Sequence, residues 1–236
     1  MGNFEYRIEV FKKALIDNKG YNLILEGLGN TMIIAVLGLV IGILIGTLIA
    51  TVRVLPKYKV LPRVLNGICS IYVAYFRGTP MVVQLLVLYY VFLPIIEVQM
   101  PPLEVAVIVF GLNSGAYVSE IMRGGIQSVD SGQLEAARAL GLGFAPSMIK
   151  IVIPQAIKNI LPTLGNEFIT LVKETSVVSF ISVNDLYRGF SYLAAGSYEY
   201  LIPYLSMAII YIVIVLIITL GIKIMERSLA KSDRRI

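Results

Sequence analysis

The sequence predicts an all-α membrane protein, a bundle of about five transmembrane helices with one short helix outside it. Three observations carry this. Of the 236 residues, 57% are hydrophobic and only 15% charged, with mean hydropathy +0.82, whereas a soluble domain carries roughly a quarter charged residues. The stretches Gly27–Val52 and Tyr200–Ile222 hold no charge, and each exceeds the ~20 residues a helix needs to cross hydrocarbon. Basic residues gather in three clusters between or after the apolar stretches, the pattern of loops on the cytoplasmic face. Residues 1–26 form a polar lead-in, 27–225 the membrane domain with a polar interruption at 131–150, and 226–236 a basic tail.

In the lead-in, Phe4, Ile8, Phe11 and Leu15 recur at helical spacing. Either a membrane-surface helix or a loose tail satisfies that pattern. The first crossing is Gly27–Val52, where Gly38, Gly42 and Gly46 repeat every four residues and offer a face for close helix contact. Arg53, Lys57, Lys59 and Arg63 follow. The second crossing combines 60–76 as a lead-in with 79–94 as its main body, Thr79-Pro80 serving as N-cap and first turn. Leu103–Met122 is the third crossing. The fourth runs from Ile151 to about Thr175 and the fifth over Tyr200–Ile222, with 176–198 read as a loop holding short apolar pieces. Five crossings place all three basic clusters on one side, so the N-terminus is expected outside and the C-terminus in the cytoplasm.

The interruption carries the strongest local order. Gln133 to Leu140 are good helix formers. Asp130 or Ser131 can cap them, and Asp130 with Gln133 has the capping-box spacing. Gly141 and Gly143 can take positive φ and end the helix, and Pro146 fits the first turn of the next.

Composition also excludes functions. There is no histidine, the one cysteine, Cys69, sits among apolar residues, and no phosphate-binding G-x-x-x-x-G-K-[ST] loop or nucleophile elbow is present. The net charge of +5 suits cytoplasmic loops facing anionic lipid rather than nucleic acid. Polar residues inside the crossings are the candidates for a path. Asn166, Thr170 and Lys173 lie along one face of the fourth crossing with Glu167 and Glu174 beside it, and Gln84 lies in the second. Each could line an aqueous route or bond neighbouring helices. Glu120 and Arg123 form an i,i+3 pair that could equally hold the helix against the interruption.

Glu135-Ala136-Ala137, three residues, Gly141, nine residues and Ile151-x-Ile153-Pro154 resemble the EAA loop of the membrane subunits of ATP-binding-cassette importers, with Ile where Leu usually precedes the proline. Phe76-Arg77-Gly78-Thr79-Pro80, the stretch from Gly115 to Ile126, and Lys173-x-Thr175-Ser176 are similar to the polar amino acid permease subgroup, and the resemblance covers about residues 22–225. It implies a permease subunit in a bacterial or archaeal cell membrane, a dimer (expected as a homodimer, although paralogous heterodimers occur in the family) with two separate ATPase subunits and an external solute-binding protein. ATP would bind the partner chains, with no cofactor or metal held here. It further implies that the ATPase is engaged by Glu135, Ala136, Ala137, Leu140, Gly141 and Gly143. A polar amino acid would pass Gln84, Glu120, Asn166, Glu167, Thr170 and Lys173. A self-contained channel or secondary transporter is the other reading, although no internal repeat of the kind such transporters use is evident.

Overall fold

The computed structural model describes residues 2–54 and 60–233; Lys57 and Lys59 of the first basic cluster, and Arg234 and Arg235 of the basic tail, lie outside them. Among the described residues every regular element is helical. Helix α1, Gly2–Lys12, is followed by one wide turn, Lys13–Asp17, and then α2, Tyr21–Val54. The first long helix thus begins six residues before Gly27, because a helix tolerates Glu26 where a hydrophobic core does not. The pair α3, Val60–Gly78, and α4, Met81–Ile95, is bent by 107°. Helix α5 is Pro102–Gln127, and α6 is Ser131–Ala139. Then α7, Phe144–Ser147, continues through a wide turn, Met148–Val152, into α8, Ile153–Glu174. A tight helical turn, Thr175–Ile181, leads to α9, Leu186–Ser197, and α10, Leu201–Asp233.

Helices α2, α5 and α10 are each long and apolar enough to cross a membrane, and the bent α3–α4 pair makes a fourth span if taken as one. Helix α8, expected as a crossing, is 22 residues long but does not reach that apolarity, because one of its faces is polar throughout.

The seam between α2 and α5 centres the bundle. Gly38, Gly42 and Gly46 are buried and face Phe110, Ser114 and Val118, while Gly111 and Gly115 of α5 receive Ile41 and Ile45. Each helix therefore supplies both the small residues and the side chains that fill the partner's gaps, which brings the backbones together where apolar burial cannot discriminate protein from lipid. Towards the α1 end, Ile34, Leu85, Val105, Phe110, Leu171, Val172, Val178 and Ile181 form the main apolar core. Helix α1 is docked there: Phe11 and Ala14 pack with Leu186, Phe190 and Leu193 of α9, and Arg7 pairs with Glu199 at 3.4 Å.

Three local expectations are corrected. Residues 176–198 are mostly helical. Asp185 accepts from the N–H groups of Tyr187 (3.1 Å) and Arg188 (3.0 Å) and so starts α9, whose Leu186, Gly189, Phe190, Leu193 and Ala194 form one buried face. Thr79 is not the N-cap of α4. Its hydroxyl donates back to the Tyr75 carbonyl at 2.8 Å, closing the end of α3, and extended Pro80 takes the capping position. Gly143 is extended, with φ −65° and ψ 165°, and precedes α7, so of these two glycines Gly141 alone, at φ 86°, uses the left-handed region.

Candidate functional site

Helix α8 buries Ala156, Ile160, Leu164 and Leu171. An adjacent face carries Gln155, Asn159, Thr163, Asn166, Thr170 and Lys173, spaced three or four residues apart and exposed except for the half-buried Thr170. Thr163 and Thr170 donate to the carbonyls of Asn159 and Asn166 four residues back, at 3.2 and 3.1 Å, which leaves their oxygens free to accept from outside. A stripe of this kind cannot face hydrocarbon at low cost and marks a polar route or a polar interface. Glu167 turns off the stripe and accepts from the Ser114 hydroxyl of α5 at 3.1 Å. At the α6 end, Asn159 donates to the Ser128 hydroxyl just past α5, at 2.8 Å. Sequence reading found the stripe from Asn166 upward. The same spacing continued downward would have found Thr163 and Asn159.

Gln84 is 4% exposed and clamps the α3–α4 bend. Its amide donates to the carbonyls of Phe76 (2.9 Å) and Thr79 (3.0 Å) and to the Thr79 hydroxyl (2.9 Å), and its carbonyl accepts from Asn113 of α5 at 3.0 Å. It borders a cavity of about 210 Å³ beside Phe76 and Leu112, but its hydrogen bonds are spent within the fold. Gln84→Leu should therefore act on stability. It takes this donor from the Thr79 carbonyl and leaves Asn113 with the Phe76 carbonyl at 3.2 Å, at roughly 1–3 kcal/mol for each partner lost, and a fall in the melting temperature of the detergent-solubilised protein measures it.

Glu120 is the hub of an ion cluster rather than half of a local pair. Arg123 binds it through two nitrogens at 3.0 and 2.5 Å, Arg53 of α2 hydrogen-bonds its other oxygen, and Arg77 at the end of α3 lies 4.0 Å away. The two long-range partners are invisible to a search for spacing.

The interruption folds as its residues dictate. Asp130 accepts from the Gly132 N–H at 2.8 Å and caps α6. At the other end the N–H of Gly141 reaches the Arg138 carbonyl (3.0 Å) and that of Leu142 the Ala137 carbonyl (3.2 Å), a glycine-closed Schellman ending. Ala137 is buried and Glu135, Ala136, Gly141 and Gly143 are exposed. Leu140 is 85% exposed, a large apolar side chain at the tip of a polar helix. On its other side α6 touches the wide turn Met148–Val152. Pro154 has no N–H for the Lys150 carbonyl, which accounts for a wide turn just before it. These contacts join an exposed apolar tip to the base of the polar stripe. Among the described residues no cluster of metal-ligating side chains occurs.

Residues 38–231 match the family described as the binding-protein-dependent transport system inner membrane component. The chain is 40% identical over 211 residues to the arginine transport system permease protein ArtQ of Bacillus subtilis, covering 89% of this chain and 94% of that one. It is 37% identical over 226 residues to the putative glutamine transport system permease protein GlnP of Rickettsia felis, covering 96% and 98%. Among solved structures, an amino acid ABC transporter crystallised with histidines superposes with a TM-score of 0.83 at 40% identity, over 91% of this chain and 97% of that one.

Proposed function

The chain belongs to the family of binding-protein-dependent transport system inner membrane components, and from that premise we propose that it moves a polar amino acid inward as one half of a homodimeric path. It is a multi-pass permease subunit of a bacterial ABC importer, working with a separate ATPase and a binding protein, and ATP hydrolysis lies on the ATPase. Membership also sets aside a self-contained channel or secondary transporter. The orientation we infer has the C-terminus and α6 in the cytoplasm and the N-terminus outside, with ATP bound on the partners and no cofactor held by this chain.

The single observation that carries the reading is the exposed polar stripe of α8, a helix flanked by apolar spans. The cargo class follows from chemistry as well as from the relatives' names. An amino acid presents an ammonium and a carboxylate. Thr170 and the Asn166 side-chain oxygen can accept from the first, with Glu167 off the stripe beside them, and Lys173 can bind the second. A second copy facing the first would enclose two such stripes away from lipid. Motion would enter through Glu135, Ala136, Ala137, Leu140, Gly141 and Gly143, cross the turn at 148–152 and tilt α8.

The test is uptake of L-arginine and L-glutamine by proteoliposomes holding the permease and ATPase, with the binding protein outside. Asn166→Leu with Thr170→Leu should cut uptake about 10–100-fold, the loss expected for one or two hydrogen bonds to a charged group, while the complex still assembles. Undiminished uptake by that variant would remove α8 from the path.

A further inference from the structure

An apolar groove of about 440 Å³ opens at the base of the bundle, away from the polar stripe. One wall is the end of α2, with Ala50 and Thr51. A second is α5, with Met122. The third is the segment that runs from α7 through the wide turn into α8, with Met148, Ile149 and Ile157. Among the described residues no charged side chain lines it. Of its two hydroxyls, that of Thr51 is spent on the Thr47 carbonyl at 2.8 Å. The floor is low because Ala50 and Ala156 are buried there, and neither is long enough to fill the space. The side is open, since Thr51, Ile149 and Ile157 are exposed. Leu44 and Leu48, also exposed, continue the Thr47–Thr51 side of α2 at helical spacing.

The lining selects the occupant. Ordered water needs two to four polar partners, which this groove does not supply. Left empty, its walls forfeit their dispersion contacts. The groove reaches Val54, the last residue of α2, so in the inferred orientation it lies at the cytoplasmic edge of the hydrocarbon, where acyl chains are at hand. A second copy is turned away from it. Ala156, Ile157 and Ile160 lie about 110° round α8 from the stripe that the copies share, at ~100° per residue. Charge narrows the lipid class. Lys150 adjoins Ile149, is exposed, and among the described residues holds no ion pair. An ammonium beside an apolar groove at this depth matches an anionic headgroup above a tail.

We propose that the groove seats one acyl chain of an anionic phospholipid from the cytoplasmic leaflet, with Lys150 holding its phosphate. The site rests on the permease reading above for its orientation and for the face given to the second copy. The chain lies against the wide turn Met148–Val152, which α6 touches on its way to α8. The lipid is therefore part of the joint that motion from α6 must cross.

The test places the assembled permease–ATPase complex in phosphatidylcholine nanodiscs. These carry a trace of phosphatidylglycerol or of phosphatidylcholine with a diazirine in mid-chain. After photolysis, fragmentation mass spectrometry locates the adducts. Phosphatidylglycerol should label Met148, Ile149 or Ile157 about fivefold more than phosphatidylcholine does, the effect of one lysine beside an anionic headgroup. Leu37 and Leu44 of α2, exposed outside the groove, should show no such preference. Lys150→Gln should bring the ratio to within about twofold. Thr51→Phe, which fills the groove from an exposed position, should remove the adducts there and keep those at Leu37 and Leu44. Equal labelling of groove and control positions, or by the two lipids, would make this ordinary annular lipid and overturn the proposal. An unlabelled groove would overturn it too, and oxidative pairing of Thr51→Cys between permease chains, with Cys69→Ser, would give the groove to a second copy. The wild-type comparison needs no folded variant. Amino acid uptake by the complex with its binding protein would uphold the importer reading whatever the lipid result, and its absence would fail that reading separately.

Discussion

Leu140→Asp is expected to abolish coupled uptake while leaving the permease folded. Leu140 is 85% exposed at the end of α6, where it contributes little to the chain's own core, so the substitution has little to destabilise. Docking against an ATPase would bury it, and a fully buried leucine contributes about 1.5–3 kcal/mol. Replacing it with a carboxylate loses that term and adds an unpaired buried charge. The combined effect is at least about a hundredfold weaker association. Glu135→Arg should act in the same direction, because it reverses the charge on an exposed position in the first half of α6, near the positive end of the helix dipole. The readouts are co-purification of the ATPase with the permease and ATPase activity in the presence of loaded binding protein. Normal coupled uptake by both variants would mean that α6 is an ordinary surface helix.

Gly42→Leu is expected to loosen the bundle and lower its melting temperature sharply. A Cβ at position 42 would lie 2.5 Å from the Ser114 hydroxyl oxygen and 3.1 Å from the Ser114 carbonyl carbon. The hydroxyl can rotate away, but the backbone of α5 cannot retreat without opening the whole seam. Overpacking one site in a close-packed core costs about 1–3 kcal/mol. Here it also separates Gly38 and Gly46 from Phe110 and Val118, so the loss extends along the helix pair. Gly29→Ala is the control. Its new Cβ meets nothing within 4 Å, and exchanging glycine for alanine inside a helix gains roughly 1 kcal/mol. Thermal unfolding in detergent should therefore separate the two by sign. Equal melting temperatures would show that the α2–α5 contact is loose.

What could be read from the sequence divides by range. The glycine triad of α2 was legible because four-residue spacing alone defines a helix face. Helix α6 was legible because its cap, Asp130, and its terminator, Gly141, lie within the helix's own neighbourhood. Helix α9 carried local signals too, Asp185 followed by Leu186, Phe190 and Leu193 at helical spacing. It was hidden by the charged and small residues around it, Arg188, Gly189 and Gly196, which look like a loop until the buried face is seen to rest on α2 and α10. Gly143 shows the limit of composition, since glycine permits a left-handed backbone but does not require one. The crossing count could not be settled from apolarity, because α8 trades hydropathy for a polar stripe. The Asn113 partner of Gln84 and the Arg53 partner of Glu120 lie 29 and 67 residues away, and no periodicity within one segment reports such pairs. The candidate site was therefore visible as residue types on α8 and α6. Its connections, Asn159 to Ser128 and Arg77 to Glu120, required the fold.

Coupling through α6 to a separate motor is tested most directly by cross-linking. In a Cys69→Ser background, with the only native cysteine removed, Leu140→Cys would be labelled with a maleimide–diazirine cross-linker, which needs no second thiol, and photolysed in the assembled complex. Transport driven through α6 requires a product between the permease and the ATPase whose yield changes when nucleotide closes the ATPase. A cysteine at 140 that links only to the binding protein, or links to nothing in an assembly active for uptake, would contradict it.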